Sequence, residues 1–395
     1  MISGKQVFMP VDYFTCAAKT WLRHQRLYTP DDIRRFTQAA AQHGNSDVFL
    51  WRVSACGAMT YQSNVESRIS DRGDFRSLAV AAARTVERFD PLAEGVKAAH
   101  AIGKPLYAWM TLFDEAHFCS NSRILQQHPE YCWVDRSGYI YNKGVACYDY
   151  DEVLEFRLEI VRELLSYGID GLYLSMRSHS RQLCPYMQKD MFGFNDPIVA
   201  AYKDRFGVDL RRINDYRPVF DSSSFASEFV IDAPDFDVPA WHQLKGESLT
   251  RLLREIRKIT GTDFPIWMCI LGPYEGLDLD YDAAQLDDLT EGVHASTRLQ
   301  TNWQQWLRDG SVDGLVICPR DTLAADSATR PFESAVNLGG QLGWFAYLGG
   351  RRTRWSRISE LAQSVKDNDD INVILPYEAA NFEELPEDAP IRGDD

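Results

Sequence analysis

Apolar positions along the chain fall into two kinds of pattern. Short, nearly continuous apolar runs end in Gly, Pro or acidic residues and read as buried strands; longer stretches carry apolar residues every three or four positions and read as one-faced helices. Val7 to Phe14 is the first strand, with Asp12 and Tyr13 at its exit. A helix follows, with Thr29 as N-cap, Pro30 at its first position, Ile33, Phe36 and Ala40 as its stripe and Gly44 as its stop. Asp47 to Val53 is strand two, and an alanine-rich helical stretch from Arg76 to His100 breaks at Asp90-Pro91. Pro105 to Phe113 is strand three, emerging as Asp114-Glu115-Ala116-His117. A long loop then runs to about Asp149, and loops of this length in compact domains are commonly functional.

The second half repeats the alternation. A helix from Asp151 to Tyr167 buries Val153, Phe156, Ile160 and Leu164, and strand four lies in the stretch Gly168 to Ser180, opening with a turn at Asp170-Gly171 and running out into Arg177 and His179. Helices at Asp196 to Phe206 and Trp241 to Thr260 precede strand five, Phe264 to Leu271. Strand six is expected between Glu275 and Ala295. A helix from Leu299 to Leu307 precedes Val312 to Cys318, read as strand seven, with Pro319 and Arg320 at its end. A helix near Trp355 to Lys366 leads to strand eight, Ile371 to Leu375, which exits as Pro376-Tyr377-Glu378. Ile169-Asp170-Gly171-Leu172 is echoed by Val312-Asp313-Gly314-Leu315. Eight strand slots separated by helices predict an α/β fold, a (β/α)8 barrel of one domain over residues 1–380 with long βα-loop insertions. Residues 381–395 read as an acidic tail.

Charge narrows the partners. With 42 basic and 57 acidic residues the net charge is −15, which repels phosphate backbones and anionic membranes, so neither nucleic acid nor a membrane is expected. No apolar run reaches membrane-spanning length and the first residues lack a signal-peptide pattern, so a cytoplasmic location is expected. The 8 cysteines form no CxxC pair and read as reduced thiols.

In such a barrel the strand ends gather at one mouth, here Asp12, Arg52, Asp114, Glu115, His117, Arg177, His179, Arg320 and Glu378. Hydrolysis of a glycosidic bond needs two carboxyl groups in different environments. Glu378 and Asp114 or Glu115 are the candidates, with His179 as a proton shuttle. Arg52, Arg177 and Arg320 suit a carboxylate or sulfate and suggest an anionic sugar. Asp12, Tyr13, His117, Asp149 and Tyr377 are further binding candidates, Asp149 doubling as a helix-start residue. Trp133 and Trp241 could stack on sugar faces, and the start of the Trp241 helix with Lys245 could meet an anion. There is no HxH pair, HExxH, GxSxG elbow or P-loop ending, so no metal and no cofactor is expected.

Tyr148-Asp149-Tyr150, the helix after it, and Tyr167 through Leu174 with Arg177 resemble the bacterial family 10 glycosyl hydrolase-like barrel proteins. Leu375-Pro376-Tyr377-Glu378-Ala379-Ala380 is similar to their last strand. The resemblance spans Leu106 to Leu375 loosely and implies a TIM barrel acting on a polysaccharide fragment. It departs at strand four, where true family 10 xylanases keep an Asn-Glu pair and this chain has Ser175-Met176-Arg177, so their retaining mechanism does not carry over. The leading expectation is a glycoside hydrolase on acidic or modified oligosaccharides. The alternatives are β-elimination on a uronate and a sugar-binding barrel without catalysis.

Overall fold

The computed structural model of the chain describes residues 2–18, 26–55, 57–72, 80–116, 121–176, 192–213, 217–220, 229–232, 235–271, 299–318, 325, 329, 332–348 and 352–382. Eight parallel strands close into a barrel: β1 (Gln6–Val11), β2 (Val48–Arg52), β3 (Leu106–Thr111), β4 (Gly171–Ser175), β5 (Ile266–Leu271), β6 (Gly314–Cys318), β7 (Gln341–Tyr347) and β8 (Ile371–Tyr377). Each pairs with its neighbours in chain order and β8 closes on β1. The chain is a (β/α)8 barrel.

Two strand assignments differ from the sequence reading. Val312 to Cys318 supplies the sixth strand, and β5 pairs directly with it from Trp267–Gly314 to Leu271–Cys318. The barrel therefore closes without residues 275–295, which lie outside the described residues. The seventh strand is Gln341–Tyr347, which the sequence reading missed. Gly339-Gly340 directly ahead of it and Gly343 within it resemble a loop, and only the ladder to both neighbours makes it a strand. Within the stretch read as a tail, Asn381 and Phe382 are buried, and Phe382 stacks on Trp355 with ring centroids 4.7 Å apart. Residues 383–395 lie outside the described residues.

The helices largely follow their expected stripes. Pro30–Gln42 starts in a full capping box between Thr29 and Asp32. Asp151–Ser166 buries Val153, Ile160 and Leu164. The helix expected from Trp241 begins at Val238, where the Asp237 carboxylate accepts the Ala240 N–H. Among the described residues no helix is long and apolar enough to cross a membrane.

Rings fill the barrel. At the N-terminal end of the interior, Phe8 of β1 meets Tyr107 of β3 and Trp267 of β5 edge-on, with centroids 5.8 and 4.9 Å apart. Tyr107 and Trp267 each have a glycine as a neighbour across the ladder. A Cβ on Gly171 would stand 2.5 Å from the Tyr107 ring, and one on Gly314 would stand 2.6 Å from the Trp267 ring. The Asp-Gly echo thus has a steric reason: each glycine leaves room for the ring beside it.

The aspartates of the echo do equivalent work. Asp170 accepts the Leu106 N–H at 2.8 Å and Asp313 accepts the Ile266 N–H at 2.7 Å. Asp47, just ahead of β2, accepts the Val7 N–H at 3.0 Å. Asn372, skipped by the ladder at the β7–β8 register shift, accepts the Leu342 N–H at 2.9 Å. At every second boundary an acidic or amide side chain thereby ties off a donor at the start of the preceding strand.

Gly314→Ala is expected to destabilise the protein by about 1–3 kcal/mol through overpacking. In a double-mutant cycle with Trp267→Leu, measured by urea denaturation, the two changes should couple by about 1 kcal/mol or more; additivity would show that the ring does not occupy the glycine's space.

Candidate active site

Toward the carboxyl ends of the strands the interior turns polar. Trp109 of β3 lies beneath Arg52, the last residue of β2, whose guanidinium carbon is 5.4 Å from the ring centroid. Arg52 donates from Nη1 to Asp12 Oδ2 at 2.8 Å and from Nη2 to Asp114 Oδ2 at 2.9 Å, and all three side chains are buried. Burial acts to lower the Arg52 pKa, but the carboxylates of Asp12 and Asp114 outweigh it and hold the guanidinium above its ordinary value. Strands β1, β2 and β3 are thereby joined at their exits by one buried charge cluster.

Asp12 is fixed from the other side as well. Its Oδ1 accepts the Thr15 N–H at 3.3 Å, in the short helix Tyr13–Ala18 that leaves β1. Tyr377, the last residue of β8, donates its hydroxyl to Asp12 Oδ2 at 3.5 Å and packs its ring on Phe345, with centroids 4.9 Å apart. Glu378 follows across a cis peptide and is 4 % exposed. Glu378 and Asp12 converge near Cys16: burial first, and then the charges of these two carboxylates, push the Cys16 thiol well above its usual range. The described part of the mouth thus collects Asp12 and Asp114 around Arg52, with Tyr377 and Trp109 beside it and Glu378 following Tyr377 at the β8 exit.

Other sequence candidates stand elsewhere. Glu115 turns out of the mouth and accepts from Arg157 Nη2 at 2.5 Å, both side chains buried, so the Asp114/Glu115 pair divides between the barrel and the helix layer. Arg52 is not an open arm of an anion clamp, because its two Nη groups are spent on Asp12 and Asp114. Tyr13 is fully buried outside the barrel, stacked on Trp51, and donates its hydroxyl to the Leu27 carbonyl at 2.8 Å.

Trp133 and Trp241, expected to stack on sugar faces, are buried, and their indole N–H groups donate to the Ala146 and Gly193 carbonyls. They enclose Lys245, whose Nζ lies 3.6 Å from the Trp241 ring centroid, so that ammonium stands in the interior rather than at a surface anion site. Asp149 lies on an outer cleft of about 740 Å³ between helices Asp196–Phe206 and Val238–Thr260. Burial raises its pKa to about 6, against hydrogen bonds from Ser248 and Cys147 that act to lower it. His117, Arg177, His179 and Arg320 lie outside the described residues.

Sequence reasoning missed Arg157 and Cys16. Arg157 carried a readable signal, since it lies four residues after Val153 and three before Ile160, on the buried stripe of its helix. An arginine there requires a buried acid. Cys16 carried none, because a small thiol in an apolar helix is ordinary core.

Arg52→Ala should cost about 3–5 kcal/mol in chemical denaturation, because it leaves two buried carboxylates facing each other without their cation. The Asp149 carboxyl keeps its proton in the fold to a higher pH than in the unfolded chain. Its contribution is therefore favourable below pH 4 and is lost as pH rises through about 6. Asp149→Asn should raise the thermal midpoint above pH 6 and leave it unchanged near pH 4.

No protein-family model matches the chain. No curated protein matches it. Solved structures do match. The catalytic domain of β-amylase from Paenibacillus polymyxa is similar with a TM-score of 0.55 at 11% identity, covering 96% of this chain and 94% of that one. Alpha-L-fucosidase isoenzyme 2 from Paenibacillus thiaminolyticus is similar with a TM-score of 0.51 at 12% identity, covering 96% of this chain and 47% of that one. This chain therefore spans about half the fucosidase's length. At such identities the likeness shows the fold, and the chain is a TIM barrel of the same architecture as these two proteins.

Proposed function

We propose that the chain is a carbohydrate-active barrel enzyme, a glycoside hydrolase acting on oligosaccharides. The observation that carries this reading is the gathering of three buried carboxylates, Asp12, Asp114 and Glu378, at the carboxyl ends of β1, β3 and β8. Barrel enzymes carry their chemistry at that face. The names of the two neighbours, a β-amylase and a fucosidase, point the same way.

Glycosidic cleavage asks one carboxyl group to give a proton to the leaving oxygen. A second, ionised group must attack the sugar or draw a proton from water. Asp114, ion-paired with Arg52, is suited to the ionised role, and Glu378 is assigned the proton. Asp12 positions Arg52 and through it Asp114. Tyr377 offers a ring face with a hydroxyl directed at Asp12, a wall for a sugar. With Arg52 engaged, recognition of an acidic sugar falls to Arg177 and Arg320, which follow β4 and β6 in the chain.

The engagement of Asp114 by Arg52 is also what favours the second reading, a sugar-binding barrel without turnover. Glu378→Gln separates the two. For a hydrolase the substitution should lower product release from a panel of neutral and uronic oligosaccharides by about 10²–10⁴-fold while binding by calorimetry persists. Binding with no turnover by the wild-type protein on any member establishes the second reading, and full activity of the variant removes Glu378 from the mechanism.

A further inference from the structure

The segment between Asp114 and the helix Asp151–Ser166 folds into a hairpin of Cys132–Val134 against Tyr141–Ala146. Its tip exposes three consecutive large side chains. Tyr139 is 85% exposed, Ile140 40% and Tyr141 39%, whereas Tyr13, Tyr61, Tyr148, Tyr173 and Tyr202 are all buried. Beyond Tyr141 the strand alternates, with Asn142 and Gly144 buried and Lys143 exposed. Tyr141 and Lys143, two residues apart in the strand, therefore present themselves to water on one face, and Tyr139 is exposed just ahead of the strand.

The tip is also held firmly. Asp135 Oδ1 accepts the N–H groups of Tyr139 and Ile140 at 3.1 and 2.9 Å, and its Oδ2 accepts the Ser137 hydroxyl at 2.7 Å. Arg136 donates to the carbonyls of Leu210, Arg211 and Ile213 at 2.9, 3.2 and 2.5 Å, locking the turn to a separate segment. At the root, the Glu115 N–H donates to the Gly144 carbonyl at 2.9 Å, so the hairpin stands on the residues that carry Asp114 into the mouth. Exposed tyrosines on a braced backbone bind a flat partner with little ordering cost.

We propose that Tyr139 and Tyr141 form an outlying subsite that stacks on a polysaccharide chain leaving the barrel mouth, with Lys143 donating to its oxygens. The inference rests on the carbohydrate-active reading above. A pyranose has an apolar C–H face and a rim of hydroxyls, which a phenol matches with its ring and its own hydroxyl. Three side chains fall well short of the roughly 800 Å² per partner of a stable protein interface, which argues against a protein occupant. From Gly144 to Tyr141 the strand covers roughly 10 Å at about 3.4 Å per residue, and Tyr139 lies beyond its end. Only substrates several sugars long reach both the mouth and the tip.

Native gels cast with soluble xylan, mixed-linkage glucan, starch or polygalacturonate test the subsite independently of catalysis. The wild-type protein should be retarded by at least one of them. The double variant Tyr139→Ala/Tyr141→Ala should lose at least fivefold of that retardation, and Tyr139→Phe/Tyr141→Phe should keep most of it. The thermal midpoint should fall only slightly, because Tyr139 is 85% and Tyr141 39% exposed. On any oligosaccharide series that is turned over, the alanine variant should raise KM for the long members and leave short ones unchanged. Equal retardation of variant and wild type, or no retardation of the wild type by any of the four, overturns the subsite even if short substrates are hydrolysed. A change of oligomeric state in the alanine variant also overturns it, by assigning the face to a second copy of the chain. Failure of the hydrolase reading shows separately, as absence of product from every glycan.

Discussion

Closing eight strands into a barrel fixes the room inside it, and in this chain rings take that room. Phe8, Tyr107 and Trp267 meet at one level, and Gly171 and Gly314 exist to let the last two lie flat against the neighbouring strand. Trp109 continues the column upward. What stands on top of it is a guanidinium, for which an indole face is a favourable support. The position of Arg52, and with it those of Asp12 and Asp114, follows from how the lower barrel is filled.

That dependence gives the mouth its character. A buried cation between two buried anions is costly to assemble and costlier to break, so the cluster is a poor place for loose adjustment. It orients rather than captures: an incoming anion would have to compete with two carboxylates already in contact. Glu378 and Tyr377, arriving from β8 on the opposite side of the β1 exit, complete a wall that is acidic and aromatic.

Much of this was legible in the sequence, and the gaps have physical causes. Strands β1 to β5 announced themselves because both faces of a barrel strand are covered, making the runs continuously apolar. The acids at their ends were visible for the same reason, as abrupt breaks in those runs. Gln341–Tyr347 was hidden because Gly339-Gly340 and Gly343 read as a turn, although Leu342, Trp344 and Phe345 are buried. Side-chain direction was out of reach altogether. Nothing local distinguishes Asp114 from Glu115, yet one faces the mouth and the other a helix, a difference set by the alternation of the strand they leave. Trp133 and Trp241 misled for a related reason, since a long loop that folds on itself builds a small core of its own.

The side-chain caps at Asp47, Asp170, Asp313 and Asn372 give the barrel a grain. Each closes a pair, β1 with β2, β3 with β4, β5 with β6 and β7 with β8, and none crosses from one pair to the next. The chain is thus assembled from four two-stranded modules; the seams between them carry the ladder and, at the exits of β2–β3 and β8–β1, the Arg52–Asp114 ion pair and the Tyr377–Asp12 hydrogen bond. Those seams are where a circularly permuted chain could be opened, or a module exchanged with that of another barrel, without cutting a capped donor loose from its acceptor.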